Sequence, residues 1–222
     1  MAGMARRPLS GFMKALLAMG GLLLGLAAPD ATAAGVACPP GLPAGVFCGT
    51  KDASAAVGGT YALDPSHSSI IARYFHLGYS YSIFRFGKPE GMLTWDPADL
   101  SRAKLTVSVE TGSIETPVPG FAEEIASDKF LKSSTFPKAT FVSTAFRRTD
   151  ATHGEVDGQL TLMGKTMPLT FKVELIGAGK GFGQPRIGIE ARSKIKPQDY
   201  GLPPVMTTPI DLVIDAEFAQ TP

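Results

Sequence analysis

Cysteine and histidine are too sparse in this chain to build a metal or haem centre. There are two cysteines and three histidines among 222 residues. No Cys-x-x-Cys, His-x-x-x-His or Cys-x-x-Cys-His spacing occurs, so a dedicated zinc site, thioredoxin-like exchange and c-type haem attachment are not expected. No Gly-x-Ser-x-Gly elbow occurs either. Ser66-His67-Ser68 sets hydroxyls beside a base only as chain neighbours, which rarely share the geometry of a nucleophile and its base. No catalytic residue and no metal ligand is therefore assigned. Charge of one sign is lacking too: the formal net charge is +1, which excludes nucleic acid as a partner on electrostatic grounds.

Turn residues are plentiful. The chain has 18 prolines and 25 glycines, with 44% hydrophobic residues, enough for one sizeable core cut into many short elements. The glycine-rich run 177–183 falls between two strand-like segments, not before a helix, so it is expected to be a hairpin loop and not a phosphate cradle.

The chain divides into three parts. Arg6 and Arg7 precede an interrupted apolar run over residues 16–28, and Ala31-Thr-Ala33 follows. A basic start, an apolar centre and an A-x-A end predict a secretory signal over residues 1–33. The run falls short of the ~20 apolar residues a membrane span needs. Cleavage near Ala33 removes Arg6, Arg7, Lys14 and Asp30, which leaves the mature chain near −1. Residues 34–58 then form a flexible leader holding the only cysteines, Cys38 and Cys48, and an exported pair at this separation predicts a disulfide. Periplasmic or secreted localisation follows, with the choice between general and twin-arginine export left open.

Residues 59–222 form the third part. It opens with a strand at Tyr61, a bend at Asp64-Pro65-Ser66 and a second strand over residues 69–75. The Asp64 side chain can bond backbone two residues on, and Pro65 fixes its own φ. Alternating segments follow at 104–110, 155–162, 168–175, 186–195 and 209–218, with less regular strands at 91–95 and 139–147. Alternation means sheets with one wet and one apolar face. The inward rows carry Leu105, Val107 and Val109, then Leu160 and Leu162, then Leu169, Phe171 and Val173. They continue with Ile187 and Ile189, and end with Ile210, Leu212 and Ile214; Phe141 joins them from 139–147. Residues 121–131, with Phe121 and Ile125 at i, i+4, predict one short helix. A sandwich or a closed barrel would cover the apolar faces, and at about eight strands a barrel is either just filled or holds one small ligand. Small inward residues, Ala191, Ser193 and Ala216, leave room.

An ordered set of motifs then carries a resemblance. It runs through Tyr61-x-Leu-Asp-Pro-x-His-Ser68, His76-Leu-Gly78, Phe86-Gly87 and Gly91-Met-Leu-Thr-Trp-Asp-Pro97. It continues with Ser113-Ile-Glu-Thr116, Ser127-x-x-Phe-Leu131, Phe136-Pro-Lys-Ala-Thr-Phe141, Gly158-Gln-Leu-Thr-Leu-x-Gly164 and Asp199-Tyr-Gly-Leu202. Order and spacing resemble the YceI-like family over nearly all of residues 60–220. Glu115 stands where that family more often has Asp, and the leader lies outside it.

The resemblance implies an all-β fold, an extended antiparallel lipocalin-like β-barrel, with a long polyisoprenoid in an apolar channel. The inward residues above become channel candidates, and His67, Ser68 and Arg73 head-group candidates. The expected function is an exported protein that holds a polyisoprenoid or isoprenoid quinone as ligand, without a cofactor and without catalysis, for carriage or storage. An enzyme acting on such a lipid, and a filled barrel serving as an interaction module, are the alternatives. A transient membrane or membrane-protein donor or acceptor and a homodimer stay open as partners.

Overall fold

The computed structural model describes residues 38–222, and the expected signal at 1–33 lies outside them. Eleven strands make one antiparallel sheet that closes on itself. They are β1 (Gly59–Leu63), β2 (Ser69–His76), β3 (Ser80–Phe86), β4 (Pro89–Trp95), β5 (Lys104–Glu110) and β6 (Ile114–Glu115). β7 (Lys138–Arg148), β8 (His153–Leu162), β9 (Lys165–Gly181), β10 (Gln184–Ile195) and β11 (Ile210–Gln220) complete the set.

Three pairs of strands are single staves broken in the middle. β1 and β2 both run along β11, with Leu63 opposite Phe218 and Ser69 opposite Asp215. The bend at 64–68 is the extra chain between them. Asp64 caps it as the sequence predicts, its Oδ1 accepting from the Ser66 N–H at 3.0 Å. β3 continues into β4 across Gly87-Lys88, and β5 into β6 across residues 111–113. With these joined, eight staves form a barrel whose seam is β1 against β11. At the upper end lie the β7–β8 and β9–β10 hairpins; at the lower end lie the β2–β3 and β8–β9 hairpins and two longer loops.

The β8–β9 and β9–β10 hairpins use the same two-residue turn, Met163-Gly164 and Phe182-Gly183, and the three-residue β2–β3 loop starts with a like pair, Leu77-Gly78; in each pair both residues have positive φ. Such turns match the right-handed twist of the strands they join. The β9–β10 turn corrects the expectation for 177–183: pairing continues through Gly181, and only Phe182-Gly183 turns. Glycine there serves close approach, because the leader crosses β9 at Gly177. Gly158 on β8 meets a stricter requirement. A Cβ there would overlap the Phe141 ring and the Val142 carbonyl oxygen. Its absence lets Phe141 stand edge-on to Phe171, ring centroids 5.1 Å apart.

The helix expected over 121–131 is shorter. α1 (Phe121–Ala126) stops where Leu131 donates back to the Ile125 carbonyl at 2.9 Å and Ser133 to that of Ala126 at 2.9 Å, so 127–135 continue as turns. A second short helix, α2 (Pro197–Tyr200), lies in the β10–β11 loop. It packs on the lower part of β9, below Lys172, where β9 no longer pairs with β10.

The leader is partly fixed. Cys38 and Cys48 are joined by a disulfide with Cα atoms 5.6 Å apart, and Thr50 pairs with Ala178 of β9.

Candidate functional site

The inward rows do not fill the barrel. They surround a cavity of about 310 Å³ that runs along its axis. A single water takes roughly 30 Å³, and small-molecule sites begin near ~300 Å³. The middle of the wall is Leu105 and Val107 of β5, Phe141 of β7, Leu160 of β8 and Phe171 and Val173 of β9. Ile187 and Ile189 of β10 and Leu212 and Ile214 of β11 complete the ring, while Val109, Leu162 and Ile210 lie toward the lower end. Thirteen of the fourteen channel candidates are thus on one wall. Leu169 is not among them; it is half-buried and packs against the lower core. Of the small residues, Ala191 and Ala216 line the cavity, whereas the Ser193 hydroxyl donates to the Thr170 carbonyl at 2.7 Å instead.

Further wall residues had no clear signal in the sequence. Ile70, Ala72, Phe86 and Leu93 come from staves that are apolar on both faces, so alternation does not single them out. Trp95 and Phe146 meet edge to face near the upper end, centroids 6.3 Å apart.

The two ends of the cavity differ. Leu131, Leu162, Ile195 and Leu202 close the lower end, all buried. At the upper end the wall passes into the β7–β8 hairpin, where Arg147, Arg148, Asp150 and His153 border the cavity and are exposed to solvent. This hairpin is the mouth. Its charges are mostly paired. Arg147 donates to Glu155 at 2.9 Å and to Asp157 at 2.9 Å. Asp150 accepts the Thr152 and His153 N–H groups, each at 2.8 Å, and faces His153 Nδ1 at 3.0 Å. These bonds, the Thr152 amide first, hold its carboxyl down at about 2. The Thr152 hydroxyl lies 3.3 Å from that same Nδ1. A relay needs hydroxyl and carboxylate bonded to opposite ring nitrogens; the carboxylate facing Nε2, that of Glu174, stands 3.9 Å away, beyond hydrogen-bond distance, so this turn is not assembled as a nucleophile with its base.

The head-group candidates His67, Ser68 and Arg73 are outside the cavity. The 64–68 bend bulges outward from the stave and carries its polar side chains away from the wall. His67 Nδ1 meets Asp64 Oδ2 at 2.9 Å, and Ser68 Oγ accepts from the Glu217 N–H at 3.1 Å. Arg73 alternates with the inward Ala72 and lies over the Tyr81 ring, 4.3 Å from its centroid.

Asp64, His67 and Glu217 come near enough together to hold a cation. The two carboxylates already hold the Arg186 guanidinium, whose Nη1 donates to Asp64 Oδ2 at 2.9 Å and also to Glu217. The hydrogen bond from His67, then that from Arg186, holds the Asp64 carboxyl at about 2, and Asp64 in turn raises His67. This cluster pins the bend to β10 and β11.

Motifs and barrel together point to known proteins. The sequence model of the YceI-like domain matches residues 61–218. The chain belongs to the YceI-like family. Within the family, YceI of Escherichia coli O157:H7 is 33% identical over 174 residues, covering 76% of this chain and 91% of that protein. A Campylobacter jejuni YceI structure superposes with a TM-score of 0.60 at 26% identity, covering 67% of this chain and 90% of that one. A polyisoprenoid binding domain from Saccharophagus degradans shares the fold with a TM-score of 0.57 at 15% identity, covering 72% of this chain and 98% of that domain. The match begins at Tyr61, so the leader lies outside the family domain.

Proposed function

We propose that this YceI-like barrel is an exported carrier or store for a polyisoprenoid or isoprenoid quinone. The observation that carries the reading is the axial cavity, overwhelmingly apolar along its length and charged only at its mouth. A branched hydrocarbon chain is the ligand such a wall suits. Burial contributes about 0.8 kcal/mol per CH₂, so each five-carbon unit contributes on the order of 4 kcal/mol without a directed polar contact. The chain would lie in the barrel and its head at the β7–β8 hairpin. Likeness to a domain described as polyisoprenoid binding supports the same class. The signal-like segment at 1–33 and the disulfide support an oxidising compartment outside the cytoplasm. There the protein would take its lipid from one membrane donor and yield it to another acceptor. Binding and not turnover is the reading, because the polar groups at the mouth are engaged with one another.

The test is mass spectrometry of a chloroform extract from protein purified without detergent, together with uptake of a labelled C20 prenyl alcohol by extracted protein. A prenyl species in the extract and saturable uptake are expected. Neither appearing would overturn the reading in favour of an interaction module.

A further inference from the structure

Residues 49–57 lie outside the family domain yet are tied across its upper end. Thr50 and Ala178 exchange two backbone hydrogen bonds, at 2.8 and 2.9 Å. They use the edge of β9 that β8 leaves free above Glu174, where the β8–β9 pairing ends. Gly49 crosses Gly177 so closely that a Cβ on Gly49 would sit 3.3 Å from the Gly177 carbonyl carbon. Lys51 forms an ion pair with Glu174. The chain then makes one 3₁₀ turn, Ala53–Ala55, capped by Asp52, whose Oδ1 accepts the Ser54 N–H at 2.8 Å. Beyond it the Ala56 carbonyl accepts from Trp95 Nε1 at 3.1 Å, and the Val57 carbonyl from the Tyr61 hydroxyl at 2.6 Å. Ala53 and Ala56 are part of the cavity wall.

We propose that residues 49–57 are a strap that completes the channel at its mouth and governs ligand exchange, with Lys51–Glu174 as its latch; this rests on the channel binding a prenyl lipid. The strap is held unequally. At its inner end Ala56 and the adjoining Tyr61 are buried, and the Ala56 and Val57 carbonyls are hydrogen-bonded to Trp95 and Tyr61. Its outer end is held by two backbone bonds, a longer bond of 3.4 Å from the Thr50 hydroxyl to the Ala178 carbonyl, and one ion pair between partly exposed side chains. Segments with few buried contacts open locally at small cost, and an exposed ion pair adds little. The outer end is therefore the part that lifts, pivoting on Ala56 and Trp95. Glu174 serves both lips of the mouth: it holds Lys51 of the strap and faces His153 Nε2 of the hairpin at 3.9 Å. The next residue, Leu175, donates its N–H to the Thr152 carbonyl at 2.8 Å. Lifting the strap uncovers Ala53 and the wall behind it without disturbing the closed lower end.

The experiment uses the full exported chain, its Lys51→Glu variant, the charge-swapped Lys51→Glu/Glu174→Lys double variant and Gly49→Val. Two quantities are read: hydrogen exchange at the Ala178 amide, which reports strap opening without any ligand, and release of a labelled C20 prenyl alcohol into excess phosphatidylcholine vesicles. Lys51→Glu should accelerate both by roughly two- to five-fold, the size of a lost exposed ion pair. The double swap should restore both, and Gly49→Val, which wedges the crossing apart, should exceed Lys51→Glu. Faster exchange at Ala178 with unchanged release would overturn the strap's role and leave the channel reading intact. Unchanged exchange in both single variants would overturn the latch. Failure of the wild type to take up the label would instead overturn the channel reading, and the strap with it.

Discussion

The lower end of the barrel is built as a core and the upper end as a mouth. Below, Phe84 packs against Phe121 with centroids 5.8 Å apart, and Ile125, Leu131, Tyr200 and Leu202 join one buried cluster with the lower wall. Two loops, each with a short helix, plug the space. Above, a smaller cluster holds Ala56, Tyr61, Ala178 and Phe218, and the β7–β8 hairpin brings charged side chains to the axis beside Leu100 of the β4–β5 loop. The same alternating strands serve both ends. What differs is whether a loop brings large apolar side chains or charged ones to the axis, so the channel's polarity is a property of its loops.

Substitutions that sharpen this contrast have graded effects. Ile125→Ala, in the plugged end and off the cavity wall, should cost about 2–5 kcal/mol by chemical denaturation, equally with and without lipid, because a filled site is emptied. Phe171→Ala, on the channel wall, should cost the lipid-free protein less than the ~3–5 kcal/mol of a filled core, and should lower retention of a labelled prenyl alcohol. Equal, full-sized losses in free and loaded protein, with retention unchanged, would place Phe171 in a packed core and break the contrast.

The outer cluster titrates. Asp64 is held at about 2 against an ordinary 3.8, so the stability it contributes is present above 3.8 and lost as pH falls toward 2. His67 is raised from 6.5, so its contribution is present below 6.5 and lost as pH rises through the elevated value. Asp64→Asn should flatten the acid limb of a stability–pH curve between 4 and 2; an unaltered limb would show that the cluster does not hold the bend. Smallest of all, Lys172→Ala faces solvent on β9 beside Phe171 and should stay within ~0.5 kcal/mol of wild type in melting experiments and leave retention unchanged.

The barrel was legible where one face is wet. β5, β8, β10 and β11 alternate cleanly, and their inward residues form most of the channel wall. β3 escaped because Tyr81 and Ile83 are exposed while Ser80 and Ser82 share the face of Phe84, so neither face reads as the polar one. Most of β9 beyond Leu175 escaped because glycine signals a turn, whereas here it admits the leader. The head-group candidates lie away from the cavity for a related reason. His67 and Ser68 stand out as polar residues in an apolar stretch, but a bend turns them outward. The residues at the mouth belong to an ordinary-looking hairpin turn, and only closure of the barrel brings that turn over the axis.

The seam has a consequence for how the chain comes together. Thr221 donates to the Thr60 carbonyl across a separation of 161 residues. The first stave and the last are neighbours, while β7 to β10 are joined in sequence by short hairpins. Local hairpins can form as soon as their residues are available; the seam cannot, and pairing across so long a loop is slow. Until β11 arrives, β1 and β10 each present an unpaired edge, and the future channel wall is an open apolar sheet. That interval is the one in which the protein can pair with another chain instead of itself. A chain ending before Ile210 would remain in it permanently.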